Sequence, residues 1–128
     1  MPQQLTYIAI VVPDYDDAIA YYTEKLGFAL LTDEDRGGGK RWVVVTPPGS
    51  QCGLLLAKAV TDEQTQHIGN QTGGRVFLFL HTDDFWRDYN ALKAQGVKFT
   101  EEPRHETYGT VVVFADLYGN KWDLIEPK

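Results

Sequence analysis

The chain has 128 residues, 43% hydrophobic, 12% aromatic and 23% charged, with a formal net charge of −6. That length and apolar content suit one compact globular domain and exclude a disordered or fibrous class. With 12 scattered basic residues, the charge argues against nucleic acid, whose phosphates need clustered Lys and Arg, and favours neutral or cationic small ligands.

The N-terminal "MPQQLTYIAIVVPDY" holds only a short apolar run without a basic flank. We therefore expect no signal peptide and no membrane span, and a cytoplasmic protein. Residues 5–12 predict a buried strand that stops at Pro13-Asp14. In "DYDDAIAYYTEKLGF" the apolar residues Ala18, Ile19, Tyr22 and Leu26 recur at helical spacing, Asp14 and Asp17 suit a helix start, and Gly27 suits its end. Extended runs follow at 28–33, 41–46 and 53–58, with the glycine-rich hairpin turn "GGGK" between the first two. Residues 59–74, polar and ending in Gly-Gly, read as a linker.

The order then recurs. A strand is predicted over 75–82, a capped helix in "DDFWRDYNALKAQG" with Phe85, Tyr89 and Leu92 inward, and strands over 97–101, 110–115 and 121–126. Asp14 stands 70 residues before Asp84, and Val43-Val44-Val45 stands 68 before Val111-Val112-Val113. Matched content at matched spacing marks an internal repeat. The expectation is one α+β domain of two βαβββ modules, about 1–58 and 75–128, which bury their apolar sheet faces together in a cupped mixed sheet.

With "IVVPDYDDAIAYYTEKLGF" early and "ADLYGNKWDLIEP" late, this chain resembles the vicinal oxygen chelate superfamily, that of glyoxalase I, bleomycin-resistance proteins and extradiol dioxygenases. The resemblance implies a cupped sheet whose concave face holds a ligand, and in metal-dependent members up to four inward His, Gln or Glu ligands. Carried onto this chain, those four positions are Tyr7, Leu55, Phe77 and Asp123. One phenol and one carboxylate fall short of the three ligands a divalent ion of this kind needs. No metal or other cofactor is therefore expected, and glyoxalase or dioxygenase chemistry does not transfer with the fold.

Strand alternation extends the same face to Ala9 and Val11, to Phe79 and His81, and to Ile125. Greasy walls with a few polar points are the make-up of a small-molecule pocket. The ligand-binding candidates are Tyr7, Trp42, Leu55, Phe77, His81, Arg104, Tyr108 and Asp123, the Arg and second Tyr coming from "EEPRHETYG", expected as a loop over the cup. The first functional expectation is a metal-free binding protein for a small aromatic or cationic compound. The alternative is a metal-dependent lyase or dioxygenase with a noncanonical ligand set drawn from Asp123, His81 and Glu101, Glu102 or Glu106. The sequence leaves catalysis open. A homodimer is expected, since small domains gain stability by burying more surface and members of the family commonly pair.

Overall fold

Strand β1 (Tyr7–Val12) carries Ile10 and Val12 fully buried on one face and leaves Tyr7 and Ala9 exposed on the other. Asp14 ends it and caps helix α1 (Tyr15–Ala20), its carboxylate accepting from the Asp17 amide at 2.8 Å. The helix does not run on as three regular turns. Tyr21–Lys25 is wound as a π-helix, a widening that sequence periodicity does not announce.

The computed structural model describes residues 2–128, which fall into two compact units that part between Ile68 and Gly69. After α1 the first unit contains β2 (Ala29–Gly37), β3 (Lys40–Thr46), β4 (Gly53–Lys58) and the short helix α2 (Asp62–Gln66). Its sheet has the order β1-β4-β3-β2, with β1 and β4 parallel and the other pairs antiparallel. Strand β2 is longer than the expected 28–33, because Gly38 and Gly39, at φ +64 and +82, close a two-residue turn that lets the whole β2–β3 ribbon pair. The core of this unit gathers Ile10, Val12, Ala18, Tyr22, Val43, Val45 and Leu56, all fully or almost fully buried.

The second unit repeats that plan with β5 (Val76–His81), α3 (Phe85–Ala94), β6 (Lys98–Phe99), β7 (Arg104–Glu106), β8 (Gly109–Ala115) and β9 (Lys121–Pro127). Its order is β5-β9-β8-β6, with β7 also paired to β8, and β5 parallel to β9. The protein is thus α+β, with two mixed sheets. The segment expected as an overhanging loop, "EEPRHETYG", instead holds a strand, because Arg104 and His105 pair with Val111 and Thr110. The expected strand over 97–101 shrinks to Lys98–Phe99. Behind the sheet, a run of ring contacts links Phe85, Tyr89, Phe99, Phe114 and Trp122. Such aromatic pairs add roughly 0.5–1.5 kcal/mol each beyond the area they bury.

The closing "DLYGNKW" is a turn built on one buried side chain. Asp116 Oδ1 accepts from the amides of Tyr118 and Asn120 at 3.1 and 3.0 Å, and Oδ2 from Asn120 Nδ2 and Trp122 Nε1, both at 3.1 Å. A buried carboxylate is tolerated when its oxygens are filled in this way. The turn sets the register that brings Asp123 opposite Phe79 on one side and Val113 on the other.

Candidate functional site

Each unit has a sheet face opposite the one on which α1 or α3 packs. In the first unit Tyr7, Leu55 and Trp42 lie on that face, on β1, β4 and β3. Tyr7 and Trp42 meet edge to face with centroids 6.0 Å apart, and the Arg36 guanidinium lies 5.3 Å over the Trp42 ring. A Cβ on Gly53 would come within 2.7 Å of Val44 Cγ1 but only 3.8 Å from the Tyr7 ring, so the glycine leaves the space that the Val44 side chain fills. A cleft of about 510 Å³ opens at one end of this face, lined by Val11, Trp42, Leu55, Ala57 and Lys58 among others. Its size falls in the range of small-ligand sites.

In the second unit Phe79, His81, Asp123 and Ile125 share the corresponding face, by the register Phe79↔Asp123 and His81↔Ile125. Phe77 does not join them in simple alternation. The register shifts between Val76 and Leu78, so Phe77 sits in a bulge. It lines a small cavity of about 90 Å³ with Gly69, Asn70, Gly119 and Asn120. Arg104 is held by Glu101 at 2.9 Å and Glu106 at 3.0 Å. Tyr108, in the β7–β8 turn, stands beside Arg104 and, with these two carboxylates, helps hold its guanidinium charged. Glu101 accepts in addition from the Val113 amide at 3.3 Å.

Asp123 completes this group. Burial pushes its carboxyl above the ordinary carboxylate range, Arg104 pulls it back and Glu101 pushes it up. Its Oδ1 is shielded from solvent and accepts no hydrogen bond among the described residues. A shielded acceptor without a donor costs free energy until something donates to it. The structure thus brings Arg104, Tyr108 and Asp123 into one electrostatic neighbourhood and Tyr7, Trp42 and Leu55 onto another surface. Sequence reasoning missed two contributors. The sequence offers Glu101 only as a metal-ligand alternative, and the role of Asp116 in orienting the strand that bears Asp123 is announced only by the turn signal "D-x-x-G-N".

The family profile of the Glyoxalase/Bleomycin resistance protein/Dioxygenase superfamily matches residues 4–124. The chain belongs to this superfamily. Within this glyoxalase-type family, an uncharacterised protein of Shewanella frigidimarina (strain NCIMB 400) is 57% identical over 98% of the chain and 95% of its own length. The crystal structure of UcmS2 superposes with a TM-score of 0.85 at 33% identity, covering 98% of this chain and 99% of that one. That of TnmS3, an antibiotic binding protein from Streptomyces sp. CB03234, gives 0.79 at 28% identity over 99% and 98% of the two chains.

At the places that the sequence resemblance assigns to the superfamily's metal donors, this chain carries Tyr7, Leu55, Phe77 and Asp123. Their side chains supply an isobutyl group, a phenyl ring, a phenol and one carboxylate, and the carboxylate has an arginine as its electrostatic neighbour. This donor set does not fit a divalent ion. Among the described residues no three His, Cys, Asp or Glu side chains cluster as a metal site elsewhere. No helix among them is long and apolar enough to cross a membrane.

Proposed function

We propose that this superfamily member is a metal-free small-molecule-binding protein, which holds a compound with aromatic or extended apolar surface rather than transforming it through a bound ion. The observation that carries the reading is the chemistry at the four places where the family's metal donors would stand: Tyr7, Leu55 and Phe77 supply no imidazole or carboxylate there, and Tyr7 and Leu55 lie on a sheet face beside Trp42. The shielded, donorless Asp123 oxygen supports it, since an N–H or O–H of a ligand would satisfy that atom. Likeness to TnmS3, an antibiotic binding protein, supports the same class of ligand.

The test combines metal analysis with ligand screening. Protein purified without chelator is expected to carry far less than one equivalent of zinc, nickel, iron or manganese, and adding those ions should leave the melting temperature unchanged. A panel of polycyclic aromatic natural products should raise it. Stoichiometric metal in wild type that disappears in Asp123→Asn would overturn the reading in favour of metal-dependent chemistry.

We further propose that the protein is a cytoplasmic homodimer. Edge strand β2 carries exposed Leu30 and Leu31, apolar surface of the kind that pairing buries, and the free thiol of Cys52 suits a reducing compartment. Light scattering at micromolar concentration should give twice the chain mass of 14.5 kDa; a monomeric mass would sink the dimer.

A further inference from the structure

The cleft of the first unit has a structural origin that its repeat lacks. Strand β3 pairs with β4 only from Val43↔Leu56 to Val45↔Leu54. Below Val43 the two strands part: Trp42 and Arg41 stay paired to β2 (Glu34, Asp35), while Ala57 and Lys58 stay paired to β1 (Val11, Val12). The counterpart pair in the second unit, β8 and β9, is closed along its whole length from Gly109↔Pro127 to Ala115↔Lys121. The difference falls on matched residues. Tyr15, 70 residues before Phe85, puts its hydroxyl in the fork, where it accepts from the Arg41 amide at 3.1 Å. Phe85 has no such group. Lys58 stands 68 before Glu126, whose carboxylate accepts from the Phe85 amide at 2.7 Å; an ammonium cannot take that role, and Lys58 lines the fork.

The fork is walled by Val11, Trp42, Leu55 and Ala57, and its charged lining residues are Lys40, Arg41 and Lys58, with no carboxylate. Arg41 is neutralised by Asp33 and Asp16 at 2.8 and 2.9 Å. Lys40 and Lys58 form no ion pair among the described residues. Of the hairpin's three carboxylates, Asp33 and Asp35 border a neighbouring cleft of about 450 Å³ instead, and Glu34, opposite Trp42, is paired with Arg36 at 3.0 Å. A chain of net charge −6 therefore keeps two uncompensated cations at the mouth of an apolar slot beside an indole ring.

We propose that the β3–β4 fork binds a planar aromatic compound carrying an anionic group, a carboxylate or acidic phenolate, with the rings against Trp42, Leu55 and Ala57 and the anion between Lys40 and Lys58. This narrows the ligand class of the binding function proposed above and rests on it. It also departs from the whole-chain charge, which pointed to neutral or cationic ligands: local charge decides what a cleft admits, net charge only what approaches.

Calorimetric titration with 2-naphthoate, 2-naphthalenemethanol and 2-naphthylmethylammonium tests it. Wild type should bind the naphthoate about ten-fold more tightly than the alcohol, and the ammonium most weakly, since two partly solvated charge contacts contribute modestly each. Lys40→Gln with Lys58→Gln should weaken naphthoate about ten-fold, the alcohol less than two-fold, and leave the melting temperature in place. Trp42→Ala should weaken both. The inference is overturned if the alcohol or ammonium binds as tightly as the naphthoate, or if the double variant keeps naphthoate affinity. A polycyclic compound that binds but ignores both the lysine pair and Trp42→Ala overturns this inference alone, whereas absence of binding by every compound overturns the binding reading with it.

Discussion

At the residue scale, Asp123 and Tyr15 show how little side-chain chemistry separates a structural position from a site. The Asp123 carboxyl is raised in the folded chain, chiefly by burial. The folded state therefore holds that proton more tightly than the unfolded chain, so the group's contribution to stability is full below the unfolded carboxylate value of about 3.9 and is lost as pH rises through the raised folded one. Asp123→Asn should match wild type near pH 3 and melt higher at pH 7; a variant that melts lower at pH 7 than wild type would refute the account. Tyr15→Phe removes the acceptor of the Arg41 amide and should cost about 1 kcal/mol in chemical denaturation, with no loss if water replaces it fully. The sequence shows Asp123 as an oddity in an apolar strand, but its donorless oxygen depends on where Arg104 and Glu101 arrive, and those come from a segment read as a loop. Likewise the single hydroxyl that distinguishes Tyr15 from Phe85 is visible in the letters, while its meaning is set by a partner 26 residues away.

Among the elements, what was legible follows from period and apolar content. "YIAIVV", "RWVVVT" and "TVVVFA" alternate or run apolar and become β1, β3 and β8. Charged segments hid structure: β7 is Arg-His-Glu, and α2 is Asp-Glu-Gln-Thr-Gln inside a stretch read as linker. Neither buries an apolar stripe, so no hydrophobic period marks them. In β7 the ladder to β8 and the Arg104 ion pairs supply the order, and in α2 the Thr61 cap on the Gln64 amide does. The fork was equally hidden, because the Val-rich cores of β3 and β8 look alike while only one is fully paired to its neighbour. The β7–β8 turn offers a sharp test. Gly109 has φ +153, and a Cβ there would meet the Glu126 carbonyl oxygen at 2.3 Å. Backbone cannot swing aside as a side chain can, so Gly109→Ala should destabilise by about 2 kcal/mol or more, read as a drop in denaturation midpoint; a shift below about 0.5 kcal/mol would show that the turn relaxes freely.

For the whole molecule, the strand order carries a consequence for how the chain is made. In both units the strand latest in sequence, β4 or β9, sits between the earlier ones, beside β1 or β5 on one edge and β3 or β8 on the other. Its parallel partner lies far back, Tyr7 opposite Gly53 and Val76 opposite Lys121. A ribosome emitting the chain from the N-terminus therefore releases both rim strands of the first sheet before its last strand, and although the β2–β3 ribbon can pair alone, neither sheet can join its two sides until that last strand arrives. The first sheet is complete once Lys58 is out of the exit tunnel, while the second waits for Pro127. Nascent chains stalled ahead of Lys121 should resist protease through the first unit and be cut throughout the second; equal protection of both would contradict this order of events. Loss of a few residues at the end of β9 would thus remove the keystone of a sheet, where in many folds the same loss trims only a frayed tail.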